Sequence, residues 1–501
     1  MKKIFCLSVL IFNFLLLSAQ HPLFSFAVIS DMHISPQNVQ NADDLKSVIA
    51  DINNQRNIAF VFVTGDITDK GDLSSLMEAK KMLGKLNVPF YPLAGNHDTK
   101  NTDDFGINFK KVFGADKFRH SFNGFFFLGL SSGQYLQQSE GHFSAQDIVW
   151  LQRTLKNIGS KKPVFFVTHH PLKTGDTDNW FEITDILRQY NTQAALSGHY
   201  HKDFVLNYDG IIGIINSSTQ RSEDSLAHYT IYQMADSLYV FDKPIGNDAQ
   251  KRYALPIEQK FYPNTDTKNF PRPNFDINKN YKNVKTVWLK RLNTDTYAAP
   301  TVKNGLMYFG SETGNFFCFD TKKGKQKWVF RSMDKVVGRA AAVDDKVIFG
   351  STDRNVYCLD ANTGKLIWKY QYKNPIFADA NISENFVFFE NKNNDYFAIN
   401  IADGTLCEDC KTAEITAAKQ ILPEKITFLQ KNDSDLAGKY FVEDNFIIFL
   451  SEKGVISFVD YDGNVLAKQK IGNNYFNRPV KVAEREYVFT TISGYVGKII
   501  F

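Results

Sequence analysis

Three evenly spaced tryptophans, Trp288, Trp328 and Trp368, constrain this chain more than any other feature. The same step separates Gly310 from Gly350, and it links Cys318, Cys358 and Ala398, then Asp320, Asp360 and Asn400, then Gly324, Gly364 and Gly404. A fixed period of about 40 residues in strand-rich units points to propeller blades, each of which buries its faces only against its neighbours. The fourth unit is offset, because the step from Asn400 to Asp460 is longer than the others. A last unit, 487–501, lacks the Trp-bearing strand, and 285–292 is that strand without its blade. The two ends are expected to share one blade and close the ring, which removes the open sheet edge. An all-β propeller of about five blades is therefore expected over 284–501, with the irregular stretch 411–445 able to hold a sixth.

Upstream, over 21–245, apolar runs alternate with helical periodicity. Strands are expected over 25–31, 58–66, 88–94, 163–168 and 194–197. Helices are expected over 41–54, where Leu45, Val48, Ile49 and Ile52 share a face, over 73–86, and over 144–157. Ser144 with Asp147 three positions on is a capping-box arrangement. The alternation indicates an α/β domain. The segment 246–283 carries Pro256, Pro263, Pro271 and Pro273 among Asn, Asp and Lys, and reads as a linker.

The segment 1–20 has another character. Lys2 and Lys3 precede an apolar run and then Ser18-Ala19-Gln20, the layout of a secretory signal peptide cleaved near Ala19 or Gln20. The run falls short of the roughly 20 residues a membrane-spanning helix needs. An exported, soluble protein, periplasmic or extracellular, is therefore expected. The net charge of +4 is small for this length and no basic block occurs, so a nucleic-acid scaffold is not expected. Cys407 and Cys410 form a C-x-x-C with no second Cys pair or His nearby, which reads as a local disulfide or two inert thiols. Cys318 and Cys358 take a small inward packing position in the repeat.

The chemistry sits in five short blocks, each just past the carboxyl end of an expected strand. They are Asp31-Met32-His33, Gly65-Asp66-Ile67-Thr68-Asp69, Gly95-Asn96-His97-Asp98, His169-His170-Pro171 and Gly198-His199-Tyr200-His201. Strand carboxyl ends are where open α/β sheets place their ligand sites. One D-x-H block alone carries nothing. Five such blocks in order, in a chain with only 10 His, carry much more. Carboxylate, imidazole and amide donors without thiols suit zinc, manganese or iron rather than calcium. Two such cations about 3.5–4 Å apart can hold a phosphoryl group and activate a bridging water, whose hydroxide attacks phosphorus.

The series resembles the calcineurin-like metallophosphoesterase superfamily over about 22–245, and the stretch from Phe60 to Asp98 is most similar to its bacterial cyclic-nucleotide phosphodiesterase-like branch. The resemblance implies an α/β four-layer αββα sandwich with two metal ions. It assigns Asp31, His33, Asp66 and His201 to one metal, and Asp66, Asn96, His169 and His199 to the other. It implies His97 as general acid with Asp98 orienting it. His170 reads equally as a substrate contact or as packing beside Pro171, and Asn96 could also touch substrate. Asp69 reads as a helix-start residue ahead of a ligand-supporting one, while Tyr200 and Trp180 read as packing.

The repeat half resembles the pyrroloquinoline-quinone-like repeat family, through Gly310-Ser311, Cys318-Phe319-Asp320, Gly324 and Trp328 and their counterparts one repeat later. That resemblance implies Trp residues packed between blades. The quinone itself is not expected, because the third unit has Glu408 in place of its Trp and the fourth is interrupted. The whole reads as a secreted metal-dependent phosphoesterase acting on a phosphodiester. A phosphomonoesterase is one alternative. The other is an envelope scaffold whose propeller docks a protein partner.

Overall fold

Strands buried along their whole length need cover on both faces, and the first domain supplies it in four layers. The computed structural model describes residues 24–99, 102, 106–133, 140–221, 225–262, 264–391, 395–408, 410, 433–436, 438–472 and 476–501. The leader and most of 411–445 lie outside the described residues. Among the described residues no helix is long and apolar enough to cross a membrane.

The strands of the first domain are β1 (Phe24–Ile29), β2 (Ile58–Val63), β3 (Phe90–Pro92), β4 (Lys117–Phe122), β5 (Phe125–Leu130) and β6 (Val164–Val167). They continue with β7 (Thr192–Ser197), β8 (Phe204–Tyr208), β9 (Ile211–Ile215), β10 (His228–Met234), β11 (Ser237–Pro244) and β12 (Gln250–Pro256). Its helices are α1 (Val39–Asn54), α2 (Leu73–Leu83), α3 (Ile107–Phe113), α4 (Ala145–Ile158) and α5 (Trp180–Leu187). One six-stranded sheet runs β12-β11-β10-β1-β2-β3 and the other β4-β5-β6-β7-β9-β8.

Alternation along each strand sorts the layers. In β1, Phe24, Phe26 and Val28 face the second sheet, while Ala27 and Ile29 meet helices α1 to α3. In β5, Phe125 and Phe127 face the first sheet, while Leu128 and Leu130 meet α4 and α5. Aromatic rings fill the seam: Phe26 stacks on Phe60 at 5.2 Å and on Tyr232 at 4.8 Å. Removing one such ring would cost about 3–5 kcal/mol. Ser144 caps α4, its hydroxyl accepting from the Asp147 N–H at 3.2 Å, while the Asp147 carboxylate meets the Ser144 hydroxyl and Lys117. This is the αββα sandwich the sequence implied.

The stretch 246–283 differs from the linker expected of it. Its first part is β12, the edge strand of the first sheet, paired with β11 from Ser237↔Pro256 onward. Its later part is pinned to the second sheet and α5: the Lys260 N–H donates to Asn191 Oδ1, and Arg272 bonds Asp209 at 2.6 Å. Proline here marks an edge strand and a docked strap rather than a free tether.

The second domain contains five four-stranded sheets among the described residues. The strand Lys285–Arg291 pairs antiparallel with Tyr495–Ile500, so the two ends of the repeat region complete one blade. The tryptophan period has a direct physical cause. The Nε1–H of Trp288, Trp328 and Trp368 donates to the carbonyls of Thr321, Ala361 and Ile401 in the next blade, at 3.0, 3.1 and 3.0 Å. Each indole also covers a turn glycine. A Cβ on Gly324, Gly364 or Gly404 would lie 2.5, 2.7 or 2.8 Å from the ring, and all three glycines have positive φ. Indole and glycine form one clasp, which is why both recur at the same step.

The repeat cysteines Cys318 and Cys358 are buried free thiols, and Cys407 is disulfide-bonded to Cys410. Burial pushes both free thiols up to about 12. At pH 8 neither is ionised, so both should be silent to Ellman's reagent in the native protein and react only on unfolding. Reaction of either at the rate of a free thiol would contradict the packing. Gly364→Ala should lower the thermal midpoint by the equivalent of about 1–3 kcal/mol, since it imposes both backbone strain and a clash with Trp328. An unchanged midpoint in calorimetry would contradict the clasp.

Candidate metal centre

Three of the five blocks, those of Asp31, Asp66 and His199, leave their strands through turns that an L-residue adopts reluctantly. Asp31, His33, Asp66, His199 and His201 all have positive φ, between 47° and 76°. Such strain persists only where surrounding structure enforces it, and it gathers at functional sites. Two glycines make room. A Cβ on Gly95 would lie 2.2 Å from Asp66 Oδ1, and one on Gly198 would lie 1.9 Å from Ser30 Oγ.

The turns bring the expected ligands of both sheets together. The donor atoms of Asp31, His33 and His201 lie within 4.8 Å of one another, as do those of Asp31, Asp66 and His169, and those of His169, His170 and His199. His33 Nε2 faces His201 Nε2 at 3.3 Å, and His201 Nε2 lies 3.4 Å from Asp31 Oδ1. Asp66 Oδ2 is 3.9 Å from His33 Nε2 and 3.3 Å from His169 Nε2, between the two groups.

Among the buried side-chain atoms without a hydrogen-bond partner in and beside the blocks, Thr64 Oγ1, Asn96 Oδ1, Thr168 Oγ1 and His169 Nε2, two belong to expected ligands: Asn96 Oδ1 and His169 Nε2. His169 Nε2 is near Asp66 but not aimed at it as a hydrogen bond. Its other nitrogen, Nδ1, donates to the Thr64 carbonyl at 2.8 Å, which directs the Nε2 lone pair at the site. Buried polar atoms are seldom left unpaired. An imidazole nitrogen without a hydrogen-bond partner, clustered with the carboxylates of Asp31 and Asp66, fits a divalent cation, and the amide oxygen of Asn96 is a further partnerless atom of the neighbouring block.

The electrostatics follow the crowding. Burial pulls His169 down, but the Asp66 charge overcomes it and raises the imidazole to about 9. A cation entering there would displace that proton from Nε2. His199 is lowered to about 4 by burial and then by His169. Burial would raise Asp66, yet His169 and its neighbours hold it below the ordinary carboxylate range.

Several side chains differ from expectation. The resemblance has Asp98 orienting His97. Its carboxylate instead accepts from the backbone N–H groups of Ile67, Thr68 and Gly95 and from the Thr68 hydroxyl, tying the second block to the third. Among the described contacts none joins the Asp98 carboxylate to the His97 ring. His97 is set by other atoms: its backbone N–H donates to Asp66 Oδ1 at 2.9 Å, and its Nδ1 lies 2.9 Å from the Asp69 carbonyl. Asp69 does not start a helix, since Asp72 caps α2. Its carboxylate lies 3.6 Å from His97 Nδ1 and 4.0 Å from His33 Nδ1.

Tyr200 is not core. It is 37% exposed, because His199 and His201 both take positive φ and the segment is a tight turn rather than a strand. Its hydroxyl donates to both oxygens of Asp176 at 2.9 Å, and Lys173 lies 5.3 Å from its ring. His170 is buried, with Nδ1 2.8 Å from Ser132 Oγ and its ring 4.6 Å from that of His199. Trp180 packs as expected, at the start of α5 beneath Arg272. Ser132 and Asp176 were missed by sequence reasoning, which had no signal for either.

Comparison with known proteins agrees with this layout. Residues 24–203 match the model of the calcineurin-like phosphoesterase family, and 333–475 match a model described as outer membrane protein assembly factor BamB. A probable cyclic nucleotide phosphodiesterase of Coxiella burnetii is 28% identical over 194 residues, which is 36% of this chain and 77% of the relative. A probable glycerophosphodiester phosphodiesterase of Arcobacter nitrofigilis is 30% identical over 172 residues, covering 32% of this chain and 62% of its own. A solved dimetal phosphatase from Danio rerio aligns with 47% of this chain and 99% of its own at 15% identity, with a TM-score of 0.38. The first domain is thus a calcineurin-like metallophosphoesterase domain and the second a repeat domain of the PQQ-like kind.

Asn96→Ala should lower the metal content per chain, with affinity falling roughly tenfold or more. Elemental analysis after dialysis checks this, and an unchanged metal content would refute a ligand role for Asn96.

Proposed function

We propose that this calcineurin-like metallophosphoesterase hydrolyses a phosphodiester at a two-cation centre, and that it works outside the cytoplasm. The observation that carries the reading is the buried, partnerless His169 Nε2, 3.3 Å from Asp66 Oδ2 and clustered with Asp31, with a second partnerless buried atom, Asn96 Oδ1, next in the chain to His97, whose N–H donates to Asp66. Asp31, His33, Asp66 and His201 would hold one ion, and Asp66, Asn96, His169 and His199 the other, with Asp66 shared. When bound, zinc, manganese or iron there supplies the charge that stabilises a phosphoryl group and eases deprotonation of water.

The chain's own residues do the rest. Asn96 is a neutral donor, so it adds no charge against the phosphate. His97 is about one-third exposed at the site edge, with Nδ1 engaged by the Asp69 carbonyl. That leaves Nε2 to carry the proton a leaving oxygen needs. The phosphodiesterases among the similar proteins support a diester over a monoester. Export is supported by the leader-like segment 1–20 and by the Cys407–Cys410 disulfide, a bond that persists in oxidising compartments.

The test uses protein beginning near His21, stripped and reloaded with manganese, zinc or iron, and assayed on bis(p-nitrophenyl) phosphate beside p-nitrophenyl phosphate. Metal-dependent turnover favouring the diester is expected. His97→Ala should lose about 10²–10⁴-fold in kcat with metal content retained. No turnover of either ester with two ions bound would overturn the reading, and preference for the monoester would correct its class.

A further inference from the structure

The propeller meets the loop behind the metal centre through a buried residue, Asp295. Asp295 lies between the blade-closing strand Lys285–Arg291 and the strand Thr301–Lys303, and it is fully buried. Its Oδ2 is 3.1 Å from His142 Nε2, and its Oδ1 accepts from the Ala145 N–H at 3.0 Å, at the start of α4. The other nitrogen of His142 lies 2.9 and 3.0 Å from the two oxygens of Asp178. An imidazole with a carboxylate on each nitrogen is a doubly donating cation. Burial works against that charge, and Asp178 and Asp295 together overcome it.

The segment that carries His142 touches the site on its other side. The His142 N–H donates to the Ser132 carbonyl at 3.0 Å. The Ser132 hydroxyl accepts from the His170 N–H and holds His170 Nδ1. Gly141 lies so close that a Cβ there would be 2.7 Å from the His170 ring. Gly141 also exchanges backbone hydrogen bonds with Asp176 and Asp178, and Asp176 receives the Tyr200 hydroxyl between His199 and His201. A continuous set of contacts therefore runs from the propeller to His170 and Tyr200.

We propose that the propeller is a working part of the hydrolytic centre: Asp295, acting through His142, is a positioning residue that sets His170 and Tyr200 beside the His169–His199 side of the site. Its consequence for turnover rests on the function proposed above, whereas its effect on His170 does not. Within the low-dielectric junction Asp178 and Asp295 share one imidazolium, and neutralising either leaves the other geometry slack. The two domains then form one catalytic unit, not an enzyme with a detachable module.

The test uses the full-length chain. Asp295→Asn keeps the size of the side chain and the acceptor for Ala145 but removes the charge. In protein labelled with ¹³C at histidine rings, this variant should shift or broaden the His170 resonance and leave that of His228, which is paired with Asp242, in place. An unmoved His170 overturns the proposal. With bis(p-nitrophenyl) phosphate, Asp295→Asn should lower kcat about tenfold or more. In a His170→Asn background it should change kcat by less than about twofold, because the two residues act as one. Equal losses in both backgrounds overturn the proposal and mark Asp295 as structural only. If Asp295→Asn does not fold, hydrogen exchange on the unmodified protein decides: amides of 141–148 should exchange as slowly as those of β6, and fast exchange overturns the lock. A His170 response without turnover of any ester would defeat the proposed activity and leave the relay standing. Turnover with an unmoved His170 would do the reverse.

Discussion

Asp66 is the residue on which the site depends. Its buried carboxylate lies 3.3 Å from His169, receives the His97 N–H and stands 3.9 Å from His33. No room exists at Gly95 for any side chain while Asp66 keeps that pose. A charge this buried is tolerable only if opposite charge meets it. The imidazoles partly do so, and the partnerless oxygen of Asn96 and nitrogen of His169 indicate that a cation completes the balance. Asp98 secures the frame one step behind, by tying three backbone N–H groups of the second and third blocks to one carboxylate.

The propeller answers to a different constraint. No blade can bury its own faces, so each must hold the next, and between the first four blades the indole–glycine clasp does this. Pairing Lys285–Arg291 with Tyr495–Ile500 joins the first repeat strand to the last and completes that four-stranded blade. Ring closure brings the segment just after the closing strand, with Asp295, against the first domain. Arg291 at the end of that strand also reaches Glu182 of α5 at 2.6 Å. The ring seam and the domain junction are thus the same region.

Much of the site was legible from sequence because its chemistry lies in blocks that directly follow strands. With the strands placed by apolar runs, Asp31, Asp66, Asn96, His169 and His199 could not be far apart. Alternation of strands and helices gave the α/β class, and the αββα layering was what the family resemblance implied. What could not be read were choices between neighbours in three dimensions. Strand alternation misled at Tyr200, which sits in a turn with positive φ on both sides. Asp98 stands next to His97 in the chain yet turns to backbone donors in the second block, far earlier in sequence. Proline content suggested a linker or extended connection at 246–283, where Gln250–Pro256 is an edge strand paired with Ser237–Pro244.

By itself the sequence determined the ligand types, their order at strand ends, the tryptophan-marked repeat and the closure of the ring. These depend on local pattern, and local pattern is written residue by residue. Only the tertiary structure decided which donors remain partnerless, which carboxylate braces the loops, and that Asp295 of one domain meets His142 of the other. Those are contacts between residues far apart in the chain, and their partners are chosen by packing and desolvation rather than by spacing.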